Sequence, residues 1–203
     1  TRESAVRPFM LLKEGQPCTE VRRAESERLL RLQPWLADAI IVAIPDGAGG
    51  VTVLVRTVDE IPVVIGAGMR GDRISGATYG SSNMAGTGQH GSAEWREGFA
   101  YRDGVGARFI NYHAFGGPNR LSLSLDRAPL STNVAFSLQR PLLTSQQRTA
   151  WHVGLTDGSR FALFARPDAQ AMALGMDHTR LDAGAIMRVG RENQGVFAGP
   201  IVS

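Results

Sequence analysis

Thr57-Val58-Asp59-Glu60-Ile61-Pro62 is the stretch at which the apolar residues change their period. Before it, apolar positions recur at helical spacing and finish in two short strands. After it, polar and apolar residues alternate in segment upon segment, separated by Gly, Asn, Asp and Pro. Side chains three and four apart share a helix face, whereas side chains two apart share a strand face. The switch therefore predicts a small α/β unit joined to a long run of β-strands.

Working back from the switch, residues 3–12 read as a helix, with Val6, Phe9 and Met10 on one face. Glu14-Gly15-Gln16-Pro17 ends it. A second helix starts at Thr19, a good N-cap, and presents Val21, Ala24, Leu29, Leu32 and Leu36, with Glu27 and Arg31 as an i, i+4 pair. Pro34 closes this helix. Ala39 to Ile44, the turn Asp46-Gly47-Ala48-Gly49-Gly50 and Val51 to Val58 form a hairpin. The order is α-α-β-β, which leaves room for a first strand before Thr1.

Working forward, Leu121, Leu123 and Leu125 alternate with Ser122, Ser124 and Asp126. Val134, Phe136 and Leu138 alternate with polar or small residues, as do Trp151, Val153 and Leu155. Strands are expected at 61–69, 73–81, 88–97, 104–113, 119–127, 132–140, 148–156, 160–166 and 181–189, with Asp157-Gly158 as a turn. Many approach the ~9–11 residues of a tilted membrane-crossing strand. A half-buried strand of a soluble sandwich alternates in the same way. The scarcity of charge on the apolar faces, opposite Ser, Thr, Asn, Gln, Gly and Arg, favours a lipid-facing exterior and a wet lumen.

The bulk composition agrees with a folded chain. Of 203 residues, 43% are hydrophobic and 20% charged, and the 24 Gly fall mostly after residue 60, as many tight turns require. The net charge is +3, nearly all of it from scattered Arg, since Lys13 is the single lysine. No basic block marks a nucleic-acid partner. Cys18 is alone, which excludes an internal disulfide and a Cys-based metal site. No run reaches the ~18 apolar residues of a transmembrane helix, so a membrane-spanning form spans as β. The start at Thr1, without a signal peptide, is then expected for a mature chain or a fragment.

Two chemical motifs compete with this reading, and a third stretch is a turn. Gly66-Ala67-Gly68-Met69-Arg70-Gly71 fits GxGxxG after the apolar Val63-Val64-Ile65, the pattern that seats a pyrophosphate on a helix N-terminus. Asp72 to Gly80 alternates like a strand and holds no helical stripe, so the motif reads as a Gly-rich strand and turn. A soluble dinucleotide-binding enzyme remains an alternative. Ser92, His90, Glu94, His113, His152, Asp157 and His178 contain the residue types of a triad, but no Ser lies in a G-x-S-x-G elbow and no His pair has H-x-x-x-H spacing. A passive porin or a barrel hydrolase is the other alternative. Asn83-Met84-Ala85-Gly86-Thr87-Gly88 reads physically as a turn with Gly at positive φ.

Four pieces in order give the chain a resemblance. Glu14-Gly15-Gln16-Pro17 with Glu25-Ser26-Glu27-Arg28-Leu29-Leu30-Arg31 looks like the last helix of a POTRA domain, and Val55-Arg56-Thr57-Val58-Asp59 like its end. Asn83 with Gly86 and Gly88 is similar to an asparagine and G-x-G near a second barrel strand, and Phe136-Ser137-Leu138-Gln139-Arg140-Pro141 to a later strand ending in Arg-Pro. Together they resemble the POTRA-plus-barrel superfamily of outer-membrane assembly and translocation proteins, with BamA-like and TamA-like insertases and two-partner-secretion transporters. The family's Val-Arg-Gly-Phe loop and terminal aromatic strand have no counterpart. The resemblance therefore implies a fragment: residues 1–60 an incomplete periplasmic POTRA domain, residues 61–203 the first half of an antiparallel transmembrane β-barrel in the bacterial outer membrane.

The resemblance implies no enzyme activity and no cofactor. Implied partners are unfolded outer-membrane or secreted client proteins, outer-membrane lipid and accessory lipoproteins. Client strands would add to the edge formed by Ala39, Ile40, Ile41, Val42, Ala43 and Ile44. Ile61, Pro62, Val63, Val64, Ile65, Gly66 and Gly68 would form one side of a weak barrel seam, because Pro removes a donor and Gly packs nothing.

Overall fold

The computed structural model describes residues 1–98, 102–144, 147–166, 169–190 and 196–202, and the side chains of 163–173 and 197 lie outside that description. A short helix α1 (Glu3–Val6) runs into a 3₁₀ turn (Arg7–Phe9), followed by α2 (Glu20–Arg31) and the hairpin β1 (Leu36–Pro45) and β2 (Val51–Asp59). The expected first helix to residue 12 thus ends at Phe9. Pro8 lacks the N–H that an α-helix needs and crowds the carbonyl four residues back, and Met10 turns extended, with φ −85° and ψ 126°.

Helix α2 is capped as expected: the Thr19 hydroxyl accepts from Arg22 N at 3.3 Å. Its buried stripe differs from the expected one. Leu29, Leu30 and Ser26 face inward, while Val21 and Leu32 are 67% and 58% exposed and Leu36 belongs to β1. Ser26 explains the rotation of the face. Its Oγ accepts from Leu11 N at 2.9 Å and donates to Arg22 O at 2.7 Å. It therefore holds the extended segment after Phe9 against the helix. The core is Val6, Phe9, Leu29, Leu30, Trp35, Leu36, Ala39 and Ile41, with Val53 and Val55 packed against it.

Beyond the switch, β3 (Val63–Arg70), β4 (Arg73–Ser81), β5 (Gln89–Arg96), β6 (Gly104–Ala114), β7 (Asn119–Ala128), β8 (Ser131–Arg140), β9 (Thr149–Arg166), β10 (Ala169–Val189) and β11 (Val196–Ala198) form one antiparallel meander. A final short strand, β12 (Ile201–Val202), also pairs with β10. Among the described residues β3 pairs only with β4, so the sheet does not close on itself. The expected strands at 148–156 and 160–166 are one strand. Asp157 and Gly158 are paired on both sides, with Val134 and Asn133 of β8 and with Thr179 and His178 of β10. Two flanking ladders override the turn preference of an Asp-Gly pair. The strand expected at 181–189 likewise begins earlier, at Ala169.

Register sorts the two faces. Phe109, Leu123, Phe136, Leu155 and Leu181 lie opposite one another on five successive strands. Ile65, Tyr79, Ala93, Ala107, Leu125 and Val134 do so on six. The other face carries the row Gly80, Ser92, Arg108, Ser124, Ala135, Thr156 and Arg180. A Cβ added to Gly80 would meet the Gly91 carbonyl oxygen at 2.5 Å, and one on Gly158 the Thr132 carbonyl at 2.7 Å. Neighbouring backbone thus leans over this face at Gly80 and Gly158, where no side chain would fit.

Candidate functional site

The helical unit is fastened to one rim of the sheet, and the fastening is the turn between β4 and β5. Asn83 is only 5% exposed. Its Nδ2 donates to Thr1 Oγ1 at 3.0 Å, and its Oδ1 accepts from Gly88 N at 2.7 Å. Thr1 Oγ1 donates in turn to Asp59 at the end of β2. Arg2 N donates to Gly86 O at 2.7 Å. One asparagine therefore ties the start of the chain, the end of the hairpin and a turn of the sheet together. The residue must offer a donor and an acceptor on one short side chain, which Asn does.

Gly88 completes the joint. It adopts φ +65°, and a Cβ there would lie 3.1 Å from Trp35 Cε2 and 3.2 Å from Ala5 Cβ. The fully buried Trp35 packs between Phe9, at 5.6 Å between ring centroids, and Tyr112 of β6, at 5.0 Å. Arg120 of β7 covers the Tyr112 ring at 5.3 Å. One further bond crosses the joint, from Arg28 Nη2 to Leu143 O at 2.7 Å, and on the sheet side the His113 ring meets Thr87 O and steadies the rim. Trp35 Nε1 is buried without a partner.

Gly88→Ala should lower stability by about 2–3 kcal/mol, from left-handed strain and crowding against Trp35. Gly15→Ala, at φ +75° with nothing within 4 Å, supplies the strain alone and should cost about 1–2 kcal/mol. Urea unfolding of both variants measures the difference; equal losses would remove the Trp35 contact from the account.

The strand edges are also in place. On β1, Ile41 N donates to Glu27 Oε2 at 3.0 Å and Ile41 O accepts from Arg23 Nη1 at 2.7 Å. Ala39 O accepts from Arg31 Nε at 2.9 Å, and Ala39 N donates to Asp38 Oδ1 at 2.8 Å. Ile40, Val42 and Ile44 face away from the helices and are exposed, as is Ala43. β3 is the end strand of the sheet. Ile61 is exposed, and Pro62 O accepts from Ser82 N at 2.7 Å. Val63 through Gly68 pair with β4, with a register shift just after Gly68.

The candidate chemical residues do not converge. His90 meets Ser92 at 3.3 Å, His152 Nδ1 meets Asp182 at 3.0 Å, and Asp157 accepts from Thr179. These are separate places on the wall. Among the described residues no group of three His, Cys, Asp or Glu is placed to hold a metal. The GxGxxG alternative fails on geometry: Gly66 and Gly68 lie within β3 and Gly71 in the turn to β4, so strand follows strand and no helix N-terminus faces the glycines. No helix among the described residues is long and apolar enough to cross a membrane.

Sequence reasoning found Asn83, Gly86 and Gly88 but not the partners Thr1, Trp35 and Tyr112. A tryptophan directly after Pro34, between a helix and a strand, was the available signal.

No family model matches the chain, and no curated protein matches it. Among solved structures it superposes on BamA from Haemophilus ducreyi lacking POTRA domains 1–3, with a TM-score of 0.57 and 12% identity, over 92% of this chain. The fold is that of a partial BamA-like barrel. The chain spans 42% of the length of that structure. At this identity the likeness speaks for the fold alone.

Proposed function

We propose that the chain is part of an outer-membrane protein that assembles, inserts or translocates other proteins. Residues 1–60 act as an incomplete periplasmic POTRA domain and residues 61–203 as the N-terminal part of the barrel. The observation that carries this reading is the joint. An apolar band running across the sheet, with a polar face behind it, is the arrangement a lipid-facing wall needs. The helical unit is locked to one rim of that wall through Asn83, Gly88 and Trp35.

The POTRA reading has a second support. A groove of about 1050 Å³ lies between β2 and the segment before α2, lined by Val51, Val53, Val55, Val6 and Met10. In the POTRA reading, a strand ahead of α1 would pair along β2 beside this groove. Partners in this reading are unfolded outer-membrane or secreted clients, outer-membrane lipid and accessory lipoproteins. No covalent step is involved. β3, with Pro62 before it and Gly66 and Gly68 within it, is the weak side of the barrel seam.

Deleting residues 1–58 from the full-length protein tests the reading. The barrel should still insert, and assembly of client barrels in reconstituted vesicles should be lost. Unchanged assembly, or ion conductance as the barrel's sole activity with and without the deletion, would overturn it.

A further inference from the structure

The β1 edge is not open along its length. In an antiparallel pair, residues alternate between those that exchange both main-chain bonds with the partner and those whose N–H and C=O point away. Ile41 spends both groups on α2, so Ala39, Ile41, Ala43 and Pro45 are the outward set of β1. Ala39 and Ile41 are fully engaged. Pro45 has no N–H to offer. What remains is Ala43 and the carbonyl of Pro45.

The groups that fill the edge form one charged assembly. Glu27, with its side chain 17% exposed, pairs with Arg23 at 3.1 Å and with Arg31 at 3.1 Å. Arg23 is braced by Glu20 at 2.6 Å, and Arg31 by Asp38 at 2.9 Å. The three residues lie one helical turn apart, at i, i+4 and i+8, so they form a single row along the strand. Inward or laterally placed charge is a known way for a sheet to protect an exposed edge.

We propose that β1 is a guarded edge. The Arg23–Glu27–Arg31 row occupies its outward main-chain groups, and an extended client strand that seats at Ala43 must displace Glu27 and Arg23 before it can pair further. This rests on the client-handling reading above and adds the control on that site. It makes a counterintuitive demand: salt screens the exposed braces Glu20 and Asp38 more than the mostly buried Glu27, and by loosening Arg23 and Arg31 it should strengthen strand capture here.

The test places a photoreactive residue at the exposed Ala43 in the full-length protein and offers an unfolded β-barrel polypeptide as probe. Cross-linking should rise with ionic strength, and Glu27→Ala should raise it about tenfold at low salt, the equivalent of one charge-assisted hydrogen bond no longer in competition. The salt titration of the unmutated row needs no variant to fold. Equal cross-linking with and without Glu27, flat with salt, would overturn the guard and leave client capture at β1 standing. No cross-linking in either protein at any salt would overturn the guard and, with it, the reading that β1 takes client strands.

Discussion

Trp35→Ala should destabilise the chain by about 3–5 kcal/mol, the range for deleting a buried aromatic that cannot be refilled. Trp35 is fully buried and supplies the apolar part of the joint between three elements. Phe9 comes from the 3₁₀ turn, Tyr112 from β6, and Gly88 from the turn after β4. The loss therefore extends beyond a cavity in the helical unit, because the rim of the sheet loses its contact as well. Two readouts should move together: the urea midpoint of the helical unit falls, and protease gains access to the 57–62 link. Trp35→Phe should cost much less. It keeps a ring beside Phe9 and Tyr112 and removes Nε1, which has no hydrogen-bond partner. If the two substitutions cost the same, shared ring packing is not what joins the layers.

Asn83→Ala should cost about 2–3 kcal/mol. The substitution leaves Gly88 N–H without an acceptor and removes the donor to the Thr1 hydroxyl, and an unsatisfied buried group costs about 1–3 kcal/mol. Asn83→Asp separates the two bonds. Its carboxylate can still accept from Gly88 N, but it cannot donate to Thr1 and it sits near Asp59, which Thr1 also contacts. The Asp variant should retain the turn and release the helical unit. Amide exchange of Gly88 reports the first effect, and protease cleavage at the link reports the second. Fast Gly88 exchange in the Asp variant would show that this acceptor alone does not hold the turn.

The wall was legible in the sequence because its signal is local. Alternation of Leu and Ser over 121–125 needs no knowledge of neighbours, and the strand at 73–81 runs as expected. Errors arose where neighbours decide. Asp157-Gly158 reads as a turn until strands pair with it on both sides. Val21 and Leu32 read as core until Ser26 binds Leu11 and turns α2. The joint was half legible. Asn83, Gly86 and Gly88 stand out as a turn, but their meaning lies in Thr1 and Trp35, residues 82 and 53 positions away in the chain. The guard on β1 could not be read at all. Glu27 and Arg31 form an ordinary helical pair in sequence, and only the packing angle of α2 lays them along a strand.

The hairpin of β9 and β10 has a consequence for how stability is distributed. β3 has 8 residues, whereas β9 has 18 and β10 has 21. At about 3.4 Å per residue these are walls of roughly 27, 60 and 70 Å. β8 supports β9 only as far as Arg160, and from Ala162 onward β9 pairs with β10 alone among the described residues. A two-stranded ribbon is marginal by itself in water. The same hairpin therefore contains two stability classes. Its lower part opens only with the whole wall, whereas residues 162–166 of β9 can part from β10 and reseal while every strand below stays paired.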